Sequence, residues 1–377
     1  MKYFKLCLGL ILLFMANNAN SQQSNTQKFL VGTYTENESQ GVNLVSFDPQ
    51  KEIFTIESVI GNIKNPSYVI ANKANTLAFA VQESEGNRGG EVTSFKIDKK
   101  SKKLTKINSV KTEGDGPCYL TLDPSEQFLL VGNYGGGNLS VIPVNPEGEL
   151  TEAVQTKEHT GSSVNKERQE GPHVHSVVFH PNQKQVFVAD LGIDQVNIYD
   201  FNPEEYLPLV PSTTPNLNVK PGAGPRHLVF NDNGNHLYLV HEMKGEVGFY
   251  KLKDKEYKHV ATYPMADEEF DGDHGGAEIR ITQDNKFLYA SNRGDDNQIT
   301  VYEINQTTGE LNPIQRISSG GKTPRNFVLT PDEDYLISAN QGSNNIILFK
   351  RDKNTGKIEK TEGMIEIHKP VYLHFLN

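Results

Sequence analysis

The chain has 377 residues, no tryptophan and a formal net charge of −10 at pH 7. This acidic balance argues against a nucleic-acid partner, because neutralising phosphates requires a basic face. The 32 glycines and 19 prolines are spread evenly and amphipathic helical stretches are scarce, which favours many short strands joined by turns. The composition therefore indicates an all-β protein whose partner is not a nucleic acid.

The first predicted element is an export signal. Two lysines precede an apolar run over residues 6–15, and a small-x-small pattern follows at residues 19–21. This order predicts a secretory signal peptide over residues 1–21, cleaved after Ser21. The apolar run is too short for a membrane span, and no second hydrophobic segment follows it. We therefore expect an exported protein, periplasmic or secreted, with no membrane span and a single domain over residues 22–377.

A unit of about fifty residues then repeats along the chain. In its clearest copy, Pro324 opens one strand, a Pro-Asp turn follows, a second strand ends at Asn340, and two further strands complete the unit. The starting positions of the copies are Pro66, Pro117, Pro172, Pro225, Gly276 and Pro324. This period and four strands per unit are typical of β-propeller blades.

The two ends of the chain complete the count of blades. The N-terminal copy begins at its second strand, near Lys28, and the strand that it lacks occurs at Pro370–Phe375. Pairing of these two segments would close the ring and remove an open sheet edge. The sequence therefore predicts one seven-bladed β-propeller with four-stranded antiparallel blades. Two stacked β-domains are the alternative, and the truncated first copy argues against them.

Polar side chains collect where the first strand of a blade begins and the second strand ends. Neighbouring strands are antiparallel, so these positions share one rim of the central channel. The residues predicted there are Asn133, His173, His175, Arg226, His227, Glu242, Glu278, Arg293, Arg325 and Asn340. Arginines and a carboxylate at a channel mouth predict a site for a small anion with a proton-transfer group nearby.

Some of these residues have a structural alternative. Asn133 and Asn340 stand where the repeat favours asparagine, and an asparagine at that position often caps a turn. His227 and Arg325 could instead tie blades together through backbone carbonyls. Three residues differ from the usual type at their positions and favour a functional role: Arg226, Glu242 and Arg293.

A metal site is a further alternative. His173 and His175 are two residues apart on a strand, which places both side chains on one side. With Glu242, Asp190 or His274 they could hold a divalent metal, although the spacing alone is a weak signal. We expect no cofactor and keep the metal as the alternative.

Several motifs occur in an order that resembles a known family. They are Val31–Thr35, Asn133–Gly137, Gly171–Ser176, Gly224–His227, Ala277–Ile279, Ser291–Gly294 and Thr323–Arg325. With them the chain resembles the seven-bladed β-propeller lactonase family, which contains propeller-type 6-phosphogluconolactonases and carboxy-muconate cyclases. The resemblance covers nearly all of the chain after residue 21. It implies that the family's proposed site residues fall on His175 (or His173), Arg226, Glu242 and Arg293.

The resemblance implies hydrolysis of a sugar-derived lactone to its open-chain acid. Arg226 and Arg293 would stabilise the anion, and Glu242 or His175 would act as general base on water. The predicted substrate-binding residues are His173, Asn133, His227, Glu278, Arg325 and Asn340. The partner would be a small-molecule lactone and the protein a monomer.

Two other functions stay open. One is a cycloisomerase acting on a carboxy-muconate-type dicarboxylate, and the other is a non-catalytic binding propeller of the cell envelope. The export signal also conflicts with the cytoplasmic role of 6-phosphogluconolactonase. The identity and phosphorylation of the lactone are therefore open at this stage.

Overall fold

In the described part of the chain, short apolar segments separated by turns form 29 β-strands arranged as seven antiparallel sheets. The computed structural model describes residues 26–35 and 41–376, so the predicted signal peptide and its cleavage site lie outside the described residues. Across the described residues, no helix has the length and hydrophobicity needed to cross a membrane. The predicted all-β architecture with seven blades is confirmed.

The first three blades are given from their innermost strand outward. Blade 1 contains β29 (Pro370–Leu376), β1 (Gln27–Thr33), β2 (Val42–Asp48) and β3 (Ile53–Ile60). Blade 2 contains β4 (Val69–Ala71), β5 (Leu77–Gln82), β6 (Glu91–Ile97) and β7 (Leu104–Lys111). Blade 3 contains β8 (Pro117–Leu122), β9 (Phe128–Asn133), β10 (Asn138–Pro143) and β11 (Gln155–Glu158).

The remaining four blades follow the same plan. Blade 4 contains β12 (Val174–Phe179), β13 (Gln185–Asp190), β14 (Gln195–Phe201) and β15 (Leu209–Pro211), with β16 (Leu217–Asn218) also paired to β14. Blade 5 contains β17 (Pro225–Phe230), β18 (His236–His241), β19 (Glu246–Lys253) and β20 (Glu256–Pro264). Blade 6 contains β21 (Gly276–Ile281), β22 (Phe287–Asn292), β23 (Gln298–Ile304) and β24 (Leu311–Ser318). Blade 7 contains β25 (Pro324–Leu329), β26 (Tyr335–Asn340), β27 (Asn345–Arg351) and β28 (Ile358–Glu366).

The hydrophobic core lies between neighbouring blades. The second strand of a blade is apolar on both faces, because each face packs against an adjacent sheet. In β13, for example, Val186 to Ala189 are fully buried. Phe287 and Tyr289 of blade 6 share one apolar cluster with Phe327 and Leu336 of blade 7. Burial between sheets therefore holds the ring together, and Cys118, the one cysteine in the described part of the chain, is unpaired.

The ring closes as the sequence predicts. Strand β29 pairs antiparallel with β1, with Val31 opposite Leu373 and Phe29 opposite Phe375. Strand β1 pairs on its other edge with β2. The last strand of the chain is thus the innermost strand of the first blade.

A β-bulge lies at the start of six innermost strands. The register slips near the first residues of β8, β12, β17, β21, β25 and β29. A bulge leaves one residue unpaired and re-aims its side chain. Arg226 and His227, which are sequence neighbours on β17, both reach polar groups of blade 6 as a result. Because of the bulges, consecutive residues of one strand can both direct their side chains toward the channel.

Candidate active site

Glu242 follows β18 directly and lies at the channel rim. A short 3-10 turn, Glu242–Lys244, begins there and ends at Gly245, whose φ of 58° is left-handed. A side chain at Gly245 would meet the His274 ring, since a Cβ built there lies 2.5 Å from His274 Nδ1. This tight turn keeps the Glu242 carboxylate over the channel instead of outside the ring.

Three arginines surround this carboxylate. Arg168 Nη2 lies 2.7 Å from Glu242 Oε1, while Arg226 Nε and Arg293 Nη2 each lie 2.9 Å from Oε2. Burial alone would raise the pKa of Glu242, but Arg293, Arg226 and Arg168 outweigh it and hold that pKa well below its usual range. Glu242 is therefore ionised and a weak base.

Two of these arginines are anchored to the backbone of blade 6. Arg226 is only 1 % exposed, and its Nη1 donates to the Ala277 carbonyl at 2.6 Å. Arg293 donates through Nε to the Gly275 carbonyl at 2.9 Å. Since Arg226 is so deeply buried, it orients Glu242, while Arg293 keeps more of its surface at the mouth.

A fourth guanidinium, that of Arg325, forms no hydrogen bond or ion pair with any residue that the structure describes. It lies over the Tyr34 ring, 5.4 Å from the ring centroid. The Tyr34 hydroxyl donates to Glu83 Oε1 at 3.1 Å, and Ser67 donates to the same carboxylate. We call Arg168, Arg226, Arg293 and Arg325, around Glu242, the arginine cluster. Arg325 is the member best placed to receive a ligand.

Sequence reasoning missed Arg168. It lies on the connection from β11 to β12, and its guanidinium also donates to the Tyr134 hydroxyl at 3.2 Å. Its side chain is 46 % exposed. The only available signal is the spacing of Pro117 and Pro172, the widest between consecutive copies of the repeat. A long connection marks an insertion but does not say where its side chains reach.

His175 is the imidazole nearest to Glu242. Its Nε2 lies 3.9 Å from Glu242 Oε2, and its Nδ1 lies 4.0 Å from Cys118 Sγ. Burial and the Arg226 charge hold the pKa of His175 well below 6.5, so the ring is neutral at pH 7. Burial also raises the pKa of the Cys118 thiol to about 12, which makes a nucleophilic thiolate unfavourable.

His173 points elsewhere. It stacks on the Tyr134 ring at 4.5 Å, and its Nδ1 lies 2.9 Å from the Tyr134 carbonyl. Asp190 pairs with His159, and His274 lies against Asn292. In the ranges 26–35 and 41–376, no three His, Cys, Asp or Glu side chains come together in a metal-binding group.

His227 and Glu278 meet one layer deeper in the channel. His227 Nδ1 lies 3.4 Å from Glu278 Oε1, and Asn326 donates to the other oxygen of that carboxylate. Burial would raise the pKa of Glu278, but Arg280 and His227 outweigh it, so Glu278 is ionised. This pair lies below the arginine cluster, and the Glu278 carboxylate attracts the Arg226 cation.

Asn133 and Asn340 are fully buried within their own blades. Asn133 donates to the Thr112 carbonyl at 3.2 Å and to Asn138 Oδ1 at 2.8 Å. Asn340 donates to the Ser319 carbonyl at 3.0 Å. Neither side chain hydrogen-bonds to the arginine cluster in the described structure, and both hold loops in the way that the turn-capping alternative describes.

Replacing Glu242 with glutamine is expected to lower the free energy of unfolding by about 3–5 kcal/mol, because removing one partner of a buried ion pair leaves the other uncompensated. The measurement is urea unfolding at pH 7. Glu91→Gln is the matched control, since the Glu91–Lys111 pair is exposed and contributes about 0–1 kcal/mol. Equal losses in the two variants would show that Glu242 does not hold the arginines together.

Comparison with known proteins gives the family. The model of a family described as lactonase, 7-bladed beta-propeller, matches residues 28–375. A 6-phosphogluconolactonase of Bacillus subtilis (strain 168) is 34% identical over 92% of this chain and 97% of its own. A 6-phosphogluconolactonase of Formosa agariphila is 33% identical over 88% of this chain and 94% of its own.

A solved structure gives the same result. The periplasmic gluconolactonase of Pseudomonas aeruginosa superposes with a TM-score of 0.88 and 32% sequence identity, covering 93% of this chain and 99% of that chain. The chain therefore belongs to the seven-bladed β-propeller lactonase family.

Proposed function

We propose that this protein hydrolyses a sugar-derived lactone to its open-chain acid. The observation that carries the proposal is the composition of the mouth. Within residues 26–35 and 41–376, four guanidinium groups lie near two carboxylates, Glu242 and Glu83, and the neutral His175 lies beside them. An excess of positive charge next to a neutral base suits an ester that becomes anionic as it reacts.

In the proposed reaction, His175 Nε2 accepts a proton from water as the water oxygen attacks the lactone carbonyl. The negative charge that develops on the carbonyl oxygen is stabilised by Arg325 and the accessible edge of Arg293. The bond from the carbonyl carbon to the ring oxygen then breaks, and His175 returns the proton to that oxygen. The product is a hydroxy acid.

The other members of the site act through these groups. Arg226 and Glu242 hold Arg293 in place, so Arg226 serves as a positioning residue in this mechanism. Water attacks directly, because Cys118 stays a protonated thiol and the sequence has no Gly-x-Ser-x-Gly nucleophile motif.

We also propose that the reaction takes place outside the cytoplasm. The N-terminal export pattern supports this location. The similar structure named a periplasmic gluconolactonase supports it as well. An unphosphorylated sugar lactone would fit this location, and a lactone with an acidic substituent would fit the excess charge.

The test is acid release in a pH-stat from glucono-δ-lactone, its 6-phosphate and a lactone that carries a carboxylate. Arg325→Gln is expected to lower kcat/KM for the two anionic lactones by about 10- to 100-fold, and less for the neutral one, since only they carry a charge in the ground state. Arg316→Gln, which changes an arginine paired with Asp267 elsewhere, is the control. No acid release above the spontaneous rate from any lactone would exclude hydrolysis.

The pH dependence gives a separate check. The general base must be unprotonated, so activity falls as the pH drops through its pKa in the folded protein. Burial and Arg226 place that pKa well below 6.5. We expect the acid limb of kcat/KM to lie below pH 6.5. An acid limb at or above this value would assign the base to a different group.

A further inference from the structure

The channel has a second opening, at the end opposite the arginine cluster. There the innermost strands turn into the second strands. A cavity of about 630 Å³ at these turns is bordered by Asn72, Lys73, Asn75, Asp123, Pro124 and Glu126. An adjoining cavity of about 520 Å³ shares Arg280, Tyr372 and His374 with it. We call the two together the lower cavity. No member of the arginine cluster is among its described lining residues.

A layer of tyrosines separates the two openings. Tyr68 stacks on Tyr372 with ring centroids 3.7 Å apart, and Tyr119 contacts Tyr68 at 4.5 Å. The other edge of Tyr119 meets His227 below the mouth. All three tyrosines line the lower cavity. A molecule in the lower cavity would therefore lie on this aromatic layer and would not reach His175.

Arg280 supplies a cation to the lower cavity. Its Nε is buried without a hydrogen-bond partner in the described structure, and the nearest carboxylate oxygen, Glu278 Oε1, is 3.6 Å away. That distance is too long for a hydrogen bond. The side chain is 35% exposed and borders both parts of the cavity. The exposed part of this cationic side chain lies at the cavity wall, where it favours an anionic ligand.

His374 supplies a neutral donor beside it. Its Nε2 accepts the Ala71 N–H at 3.0 Å, so the neutral ring carries its proton on Nδ1. Burial and the Arg280 charge lower the pKa of His374 to about 4, which keeps the ring neutral at pH 7. Burial raises the pKa of Tyr372, so its hydroxyl also stays a donor.

The acidic residues at this opening are already engaged. Asp123 accepts the backbone N–H of Phe128 at 2.6 Å and that of Ser125 at 2.8 Å. Glu126 Oε1 accepts the N–H of Lys73 at 2.7 Å. Glu333, in the adjoining cavity, accepts the N–H of Gln283 at 2.8 Å, so these carboxylates hold the turns around the rim.

We propose that the lower cavity binds a small hydroxylated anion, with a carboxylate or phosphate group on Arg280 and His374. The rest of the ligand would lie on the tyrosine layer, where the tyrosine hydroxyls can form hydrogen bonds with the ligand hydroxyls. This site is distinct from the proposed hydrolytic mouth and does not depend on the reaction there.

The test is isothermal titration of the purified protein with gluconate, 6-phosphogluconate and inorganic phosphate. Arg280→Gln removes the cation, and Thr121→Phe narrows the cavity from β8 without changing a charge. Arg280→Gln is expected to weaken binding of at least one of these anions about tenfold or more, as loss of a charged hydrogen bond does. Thr121→Phe is expected to weaken it by a similar factor, because the phenyl ring takes up space that the ligand would fill. Arg325→Gln at the mouth and Arg316→Gln elsewhere should leave that binding in place. Binding of gluconate would indicate a site for a carboxylate, and binding of inorganic phosphate would indicate a site for a phosphate.

The proposal fails if Arg280→Gln and Thr121→Phe bind all three anions as the unaltered protein does. It also fails if all anion binding is lost in Arg325→Gln, because the anions would then bind at the mouth alone. Circular dichroism and thermal melting check that each variant is folded. If Arg280→Gln does not fold, Thr121→Phe decides the question.

Discussion

Replacing His175 with asparagine is expected to lower kcat/KM for lactone hydrolysis by about 10²–10⁴-fold, the range that general-base catalysis contributes. Asparagine fills similar space and keeps polar atoms near Cys118 and Glu242, but it cannot accept a proton from water. The measurement is the initial rate of acid release, with the spontaneous rate subtracted. The acid limb of the pH profile should disappear with the activity.

Two histidine variants serve as comparisons for this result. His259→Asn changes an exposed histidine on β20 that contacts Thr262, and it should leave the rate unaltered. His173→Asn removes the ring stacked on Tyr134 and should have a smaller effect than His175→Asn. A larger loss in His173→Asn than in His175→Asn would move the catalytic base to His173.

Deleting residues 370–377 is expected to abolish cooperative folding. The deletion removes β29, in which Val371 and Leu373 are buried, and leaves the apolar strand β1 with an open edge. An open apolar edge promotes association between chains. Size-exclusion chromatography should therefore show aggregated protein, and thermal melting should show no sharp transition.

A graded variant separates closure of the ring from simple loss of apolar contacts. Leu373→Ala keeps all strand pairing and is expected to lower the free energy of unfolding by about 2–5 kcal/mol, as for other buried leucines. Val210→Ala, at a side chain that is half exposed, should have little effect. A truncated protein that melts like the Leu373→Ala variant would show that closure adds nothing beyond local packing.

The fold was predictable because the same local pattern recurs. Each blade repeats an apolar second strand that ends at the rim, so one well-formed copy, Pro324 to Asn340, reveals the others. The closing strand was predictable because the first copy lacks its innermost strand. Neither inference depends on contacts between particular side chains.

The site was less predictable, because its geometry depends on bulges and loops. Strand ends indicated which residues share the rim, and the structure brings His175, Arg226, Glu242 and Arg293 together. The sequence did not indicate that Arg226 is buried or that His227 and Glu278 lie a layer deeper, since a bulge changes where a side chain points.

The contacts of Arg168, Cys118 and Tyr34 could not be read from the repeat either. Arg168 reaches Glu242 from a connection outside the repeated pattern, and a lone cysteine in a strand gives no sign that it borders a histidine. Tyr34 lies in the family motif Val31–Thr35, but the motif does not indicate its contact with Arg325, which joins blade 1 to blade 7. Such contacts depend on how the ring closes.

The pairing of β29 with β1 also has a consequence for how the protein folds. Leu30 and its partner His374 are separated by almost the whole chain, so this contact forms only after the last residues have been synthesised. Contacts between distant parts of a chain slow folding, because loop closure costs entropy before the contact forms. Until then β1 has no inner partner and the ring is incomplete. The last step in building the ring is therefore expected to be the docking of β29 onto β1.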